Sequence, residues 1–317
     1  MSNITREQVL FSLKKIKSDV NCTAIIKKDS INLVFEEDYP KHVMEKIQLE
    51  LKKIYQNCLI NIIHTSDKKE LPMQSTKSEK YQLPNVKKII LVSSCKGGVG
   101  KSTMTSCIAG SLVKEGLKVG IVDADIYGPS IPTLFGTEGK IDISENKFIP
   151  KEKGGIKIIS MGNLVDPEKA AVWRGPMVSK MLYQLIMGTN WGELDILLVD
   201  TPPGTGDVAL SLMEKYPVDG AILVTTPHLL AVNEIVKSID MFFKLNIPIL
   251  GAIENMSYFK DNTGEIYYIY GKSNLEKILN DHYISFLGEV PIDSDFAKGY
   301  SLDSFPSLYR RIIEKLL

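Results

Sequence analysis

Apolar positions recur along this chain in two rhythms, and the change between them falls near residue 70. Over residues 4–19, Ile4, Val9, Leu10, Leu13 and Ile16 repeat at a spacing that puts them on one helical face. TAIIKKDSINLVFEE predicts two short strands around a turn at Lys28-Asp29-Ser30. A second helix is expected over about 41–56, begun by Pro40 and rich in Lys, Glu and Leu, with CLINIIHT closing the segment as a strand. The order α-β-β-α-β makes residues 1–70 a small two-layer α+β accessory domain. No period organises the next stretch, SDKKELPMQSTKSEKYQLPNV, where Pro72 and Pro84 stand among Ser, Thr, Lys and Glu, and 71–86 is read as a linker.

From Lys87 the pattern becomes strands alternating with helices. KKIILVSS, KVGIVDAD, IKIISMG, LDILLVD, GAILVTT, IPILGAIEN and FLGEVP are short apolar runs with little alternation, as expected of strands covered on both faces. Helical segments are expected near 102–115, 170–188, 207–215, 230–244 and 273–283. Residues 87–317 therefore predict a three-layer α/β/α domain around a mostly parallel sheet.

Composition narrows the function classes. In 317 residues, 44% hydrophobic and 24% charged is ordinary globular composition, which excludes disorder and collagen-like repeats. Thirty-eight Lys and Arg balance 38 Asp and Glu, so no nucleic-acid partner is expected and membrane contact is disfavoured. MSNITREQVLF has no signal-peptide pattern, and apolar runs stay short of a bilayer span, so a cytosolic location is expected. Cys22, Cys58, Cys95 and Cys107 contain no C-x-x-C and form neither a disulfide framework nor a metal-site spacing.

The strongest chemical signal is Lys96-Gly97-Gly98-Val99-Gly100-Lys101-Ser102-Thr103, set between a predicted strand and a predicted helix. Glycines let the backbone turn tightly and aim N–H groups at phosphate oxygens, and the new helix adds its unpaired amides. Lys101 is placed to reach the β- and γ-phosphates and Ser102 to ligate Mg²⁺. Cys95 stands where the strict phosphate-loop pattern has Gly. Two further motifs agree. Asp123 and Asp125 end the next strand, where paired acids can face Mg²⁺ and water. Asp200 ends LDILLVD as the Walker B acid, and Gly204 after it is free to bring an amide to the γ-phosphate.

SSCKGGVGKST, GIVDADIYGPSIP, VWRGPMVSK, LLVDTPPGTGD and GAIENMS resemble the Mrp/ApbC group of MinD-type P-loop ATPases, which carry or scaffold iron–sulfur clusters. The resemblance runs from about residue 87 to the C-terminus. It implies an ATP-hydrolysing homodimer with Mg²⁺ that hands clusters to apo-proteins or works with assembly factors. Residue by residue, it implies that Lys96 reaches the partner's nucleotide and Asp125 positions the attacking water. Asp123 falls on the metal side with Ser102 and Asp200, and Asn255 packs beside adenine. The family's paired cysteines would fall near Asp261 and Gly264, which hold no sulfur, so whether a cluster is bound is open. The D-P-E signature of the family's N-terminal domain is also absent. The alternative reading is a MinD-like dimer switch or adaptor without cargo.

Weaker signals lie elsewhere in the chain. DNTG at 261–264 reads as a hairpin turn, and Tyr267, Tyr268 and Tyr270 as strand packing in preference to a dimer contact. His228 could approach nucleotide or partner; Arg174, after Trp173, could meet a carboxylate across the dimer or cap a loop; Asp293 and Asp295 could border the adenine side. Cys95 reads as a small residue tolerated in the phosphate loop and Cys107 as core. SFPSLYRRIIEKLL is amphipathic and suits either a membrane surface or packing as a terminal helix.

Overall fold

The computed structural model describes residues 6–17, 22–27, 30–35, 39–55, 59–64, 80–126, 128–164, 175–204, 206–293 and 306–316. The chain divides into two compact units, Met1–Ser78 and Glu79–Leu317. In the first, α1 (Arg6–Ile16), β1 (Cys22–Lys27), β2 (Ser30–Phe35), α2 (Lys41–Ile54) and β3 (Leu59–His64) succeed one another in that order. β2 is the middle strand, antiparallel to β1 and parallel to β3. Val9 and Leu13 of α1 and Val43, Met44, Ile47 and Leu51 of α2 are buried with Ile31, Leu33 and Phe35 of β2. Alternate residues of β2 thus share the core side, as the strand period of two requires.

The second unit begins with β4 (Val86–Ser93), α3 (Lys101–Lys114), β5 (Val119–Asp123), α4 (Ile131–Phe135), β6 (Asp142–Ser144), β7 (Lys147–Ile149), β8 (Lys151–Lys153) and β9 (Ile156–Ser160). It continues through a 3₁₀ turn (Met161–Asn163), α5 (Gly175–Met187), β10 (Leu194–Asp200), α6 (Asp207–Lys215), β11 (Gly220–Thr225), α7 (Leu229–Lys244) and β12 (Ile249–Glu254). β13 (Phe259–Lys260), β14 (Ile266–Tyr267), α8 (Leu275–Asp281), β15 (Phe286–Glu289) and α9 (Pro306–Leu316) complete it. The main sheet has the order β15-β12-β11-β4-β10-β5-β9-β8, and only the β8–β9 pair is antiparallel. All seven apolar runs read from the sequence are strands of this sheet, giving the expected P-loop α/β/α fold.

One face of the sheet buries Val92, Ile121, Ile196 and Leu198 with Met104, Ile108 and Leu112 of α3. The other buries Leu91, Leu197 and Val199 with Leu182 of α5, Leu212 of α6 and Ile239 and Phe242 of α7. β4 lies in the middle with β10 and β11 on either side, so the loop leaving its carboxyl end meets the ends of both neighbours. Such a central position is where open α/β sheets bind ligands.

The amphipathic C-terminus is settled as packing. Ile312 and Leu316 of α9 are buried in the same cluster as α3, and Lys88 Nζ donates to Leu316 O at 2.6 Å. Among the described residues no helix is long and apolar enough to cross a membrane. Residues 80–85, in the stretch read as linker, lie on the second unit. Tyr81 N donates to Lys215 O at 2.9 Å, and its ring sits 4.8 Å from that of Tyr183. Residues 71–79 of that stretch, the Lys28-Asp29 turn and Cys58 lie outside the described residues.

Candidate functional site

Register assembles the site. Asp200 pairs with Val92 of β4 on one side and Asp123 of β5 on the other, and Asp123 pairs with Ser160 of β9. Parallel strands in register bring two carboxylates from residues 77 apart side by side at the carboxyl edge of the sheet. Neither is exposed: Asp123 and Asp200 are both fully buried.

Each buried carboxylate has its own donors, as burial of charge demands. Asp200 Oδ1 lies 2.8 Å from Lys101 Nζ and accepts from Thr105 Oγ1 at 2.9 Å. Asp200 Oδ2 accepts from Ser102 Oγ at 2.6 Å. Lys101 and Thr105 reach the same oxygen because residues four apart share one face of α3. Asp123 Oδ2 accepts from Ser160 Oγ at 2.9 Å and Ile131 N at 3.2 Å, and Oδ1 from Asp125 N at 3.2 Å.

The asymmetry between the two acids is electrostatic. Asp200 has a cation against it. Asp123 has only neutral donors, and burial together with the charge of Asp200 pushes its pKa up to about 7 from an ordinary 3.8. The folded protein therefore keeps a proton that the unfolded chain loses. The stability this proton carries is complete below about pH 4 and is lost as pH rises through about 7. Scanning calorimetry of the nucleotide-free, metal-free protein is expected to show its melting temperature falling from about pH 5.5 to about pH 8. Asp123→Asn should flatten that slope.

The loop between β4 and α3 has the geometry its glycines foretell. Gly98 and Gly100 have φ of 79° and 80°. Ser94, Lys96, Gly97, Gly98, Gly100, Lys101, Ser102 and Thr103 line a cleft of about 260 Å³ together with Asp125, Gly128, Ser130, Leu134 and Pro203. Of these lining residues Lys96 is half-buried. Asp125 is half-buried and its Oδ1 accepts from Gly128 N at 3.2 Å. Lys101 is 6% exposed, and Val99 is buried beneath the loop. Ser102, which lines the cleft, and Asp200, buried behind it, form a hard-oxygen pair through Ser102 Oγ and Asp200 Oδ2, a donor chemistry that fits Mg²⁺.

Some expected residues have other partners in the structure. Gly204 N donates to Ser94 O at 2.8 Å, and Asn255 Nδ2 donates to Val99 O at 2.9 Å. His228 is the N-cap of α7, its Nδ1 accepting from Leu230 N at 3.3 Å. Cys95 turns towards α7: its Sγ donates to Glu234 O and lies 2.6 Å from Ser238 Oγ, and burial raises its pKa. A protonated, hydrogen-bonded thiol is a poor metal ligand. Asp293 is exposed beyond β15, while Trp173, Arg174 and Asp295 lie outside the described residues. Thr105 and Ser160 complete the site without having been singled out from the sequence. For Thr105 the signal was its place four residues after Lys101.

No cluster-binding group is formed by the described residues. Among them no three His, Cys, Asp or Glu side chains lie together as a metal site. Cys107 is buried in the core and Cys22 is half-buried in the first unit. At the position of the missing cysteines, Asp261 closes a β13–β14 hairpin, its Oδ1 accepting from Thr263 N, Thr263 Oγ1 and Glu265 N at 2.7–2.9 Å. Those bonds hold its carboxyl below the ordinary range, with the Thr263 hydroxyl foremost. The expectation of strand packing holds only for Tyr268, which is half-buried with its ring 6.3 Å from that of Tyr258; Tyr267 and Tyr270 are nearly half exposed, as are Phe259 and Ile266.

Comparison with known proteins agrees with this geometry. The ParA family model described as the NUBPL iron-transfer P-loop NTPase matches residues 85–307. An iron-sulfur cluster carrier protein of Rickettsia felis is 45% identical over 260 residues, covering 80% of this chain and 79% of the relative. One of Rickettsia conorii is 43% identical over 278 residues, covering 83% and 86%. A nucleotide-binding protein from Archaeoglobus fulgidus, solved with ADP, superposes with a TM-score of 0.60 at 37% identity, over 73% of this chain and 88% of that one. The cell division ATPase MinD of Pyrococcus furiosus, at 22% identity and a TM-score of 0.52, shares the fold over 73% of this chain and 99% of its own. With its phosphate loop, paired strand-end acids and a family match over most of its length, the chain belongs to the ParA family of NUBPL-type iron-transfer P-loop NTPases.

Proposed function

We propose that this chain is an ATP-hydrolysing iron–sulfur cluster carrier or assembly factor that works in the cytosol as a homodimer and serves apo-protein clients. The observation that carries the reading is Asp200 holding Lys101 and Ser102 together at the end of the central strands. It is supported by relatives above 40% identity that bear the name iron-sulfur cluster carrier protein. Mg²⁺, when bound, neutralises charge on the β- and γ-phosphates. The chain's own residues do the rest. Lys101 and the amides of Gly97–Gly100 bind the phosphates, Lys96 adds a cation from the cleft lining, and Asp125 holds the attacking water in line. Ser102, Asp123 and Asp200 supply the hard oxygens of the metal side.

The cluster, as cargo, is a separate matter from hydrolysis. Asp261 and Gly264 offer no thiolate, so sulfur ligands for a carried cluster must come from cysteines elsewhere in this chain, brought together by rearrangement of the dimer. The exposed Phe259, Ile266, Tyr267 and Tyr270 favour the second reading, a dimer switch whose output is protein binding. Anaerobic reconstitution of the full chain with iron and sulfide, with and without ATP, separates them. Near-stoichiometric iron and labile sulfide per dimer is the carrier result. Protein that hydrolyses ATP and retains neither is a switch serving maturation indirectly. In the same preparation, chelation by EDTA is expected to abolish phosphate release, and restored Mg²⁺ to recover it.

A further inference from the structure

β9 is apolar at Ile156, Ile158 and Ile159 and ends on a polar residue that is just as deeply buried, Ser160. Its hydroxyl has two partners. Ser160 Oγ donates to Asp123 Oδ2 at 2.9 Å and accepts from Gly162 N at 3.0 Å. A hydroxyl has one hydrogen, and an amide N–H can only donate, so the proton of Ser160 belongs to the carboxylate. The pairing of β9 with β5 puts the two residues side by side.

From Ser160 the bonds lead to the cleft by two routes. The first runs through Asp123, whose other oxygen, Oδ1, accepts from Asp125 N at 3.2 Å. Asp125 Oδ1 in turn accepts from Gly128 N at 3.2 Å. The terminal torsion of a carboxylate is soft, so the donors around it set its plane. For Oδ2 of Asp123 those donors are Ser160 Oγ and Ile131 N. The second route runs through the 3₁₀ turn that Ser160 caps. Gly162 in that turn lies so close to Pro129 that an added Cβ would stand 3.1 Å from the proline Cβ and Cγ. Ser160 thus grips the segment 125–130 at both ends. Asp125, Gly128 and Ser130 of that segment line the cleft, whereas Asp123 and Ser160 do not.

We propose that Ser160 is a positioning residue for ATP hydrolysis: its hydroxyl fixes the plane of the Asp123 carboxylate, which holds the backbone of Asp125 and so aims the Asp125 side chain at the attacking water. The proposal rests on the reading above in which Asp125 orients that water. Ser160 touches neither nucleotide nor water, so its removal acts on the hydrolytic step and leaves ground-state binding alone.

The test compares full-length wild type with Ser160→Ala and Ser160→Cys in Mg²⁺-ATP turnover, ADP binding, and binding of ADP with aluminium fluoride. The fluoride complex mimics the phosphoryl group in flight together with its in-line water, and reads the aim of Asp125 without turnover. For Ser160→Ala, kcat and affinity for the fluoride complex are each expected to fall about tenfold, roughly what one hydrogen bond to a charged group contributes. ADP affinity is expected to stay at the wild-type value. Ser160→Cys keeps nearly the same volume with a weak S–H donor, and is expected to lose less in the same two measurements. It also carries the comparison if the alanine variant folds poorly. Adding Ser160→Ala to Asp125→Ala should cost the fluoride complex no further affinity, because the side chain being aimed has gone.

A lowered melting temperature with wild-type kcat in the folded variants would mean a purely structural role and overturn the proposal. Equal losses of ADP affinity and kcat would overturn it in favour of phosphate binding. Additive losses with Asp125→Ala would overturn the route through Asp125. Undiminished turnover in Asp125→Ala, or a wild type that hydrolyses no ATP, would instead remove the reading on which the proposal stands.

Discussion

Asp200→Ala is expected to stop ATP turnover and to lower the stability of the nucleotide-free protein by about 3 kcal/mol, near the lower end of what breaking a buried ion pair costs. The cost arises from the groups left unpaired. Lys101 is 6% exposed, and Asp200 Oδ1 is the anion against its ammonium. Thr105 is buried and loses the same acceptor, though its hydroxyl still donates to Lys101 O at 3.0 Å. One term runs the other way, since removing Asp200 relieves the repulsion that helps raise Asp123. That repulsion ranks behind burial among the causes, so the loss of the Lys101 pairing dominates. Urea unfolding monitored by circular dichroism measures the stability change. Phosphate release at saturating ATP measures turnover, expected to fall at least about 100-fold because preorganised charge at the phosphates is lost. Asp200→Asn separates the effects: its carbonyl still accepts from Lys101 and reduces the stability loss, while a neutral amide is a weak Mg²⁺ ligand and turnover stays low.

That ion pair also marks where sequence reasoning ends. Lys101, Ser102, Asp123 and Asp200 were visible because each lies at a junction between a strand and the next loop or helix. Buried parallel strands announce themselves as unbroken apolar runs, and so the seven runs from KKIILVSS to FLGEVP all became strands. The partners were less visible. Ser160 meets Asp123 only because β9 pairs with β5 in one particular register, and nothing local to IKIISMG encodes that. β6, β7 and β8 went unread because DIS, KFI and KEK are short and largely exposed, with no buried face to impose a period. The opposite error came at IYYIY. Its aromatic content resembles core, yet β14 is two residues long, and Tyr267 and Tyr270 face solvent. Composition reports what could be buried; whether it is buried depends on an opposing layer. The C-terminal helix shows the converse, since α3 supplies the layer that takes Ile312 and Leu316.

Gly100→Ala should be the most damaging conservative change in the phosphate loop, and Gly116→Ala is its matched control. The two glycines stand at opposite ends of α3 with the same φ of 80°. Placing an L-residue in the left-handed region costs about 1–2 kcal/mol at either position. At Gly116 that is the whole cost, because an added Cβ meets nothing within 4 Å. At Gly100 the Cβ would stand 2.2 Å from Asn255 Nδ2 and 3.6 Å from Met256 Cε. Asn255 is held by its N–H, which donates to Thr225 O at 2.8 Å, and by Glu254 before it, whose Oε1 accepts from Ser257 Oγ, so it cannot give way without breaking its bond to Val99 O. The loop must move instead, and a shift of about 1 Å in groups that position a reacting phosphate costs on the order of 100-fold. Gly100→Ala is therefore expected to weaken ADP binding and turnover by about 100-fold, measured by calorimetric titration and phosphate release. Gly116→Ala should bind normally and lose only about 1 kcal/mol of stability. If the clash is the cause, adding Asn255→Ala to Gly100→Ala must cost less than Asn255→Ala alone, because the atom in conflict has already gone. Strictly additive losses would mean that left-handed strain, not the Asn255 contact, makes Gly100 necessary.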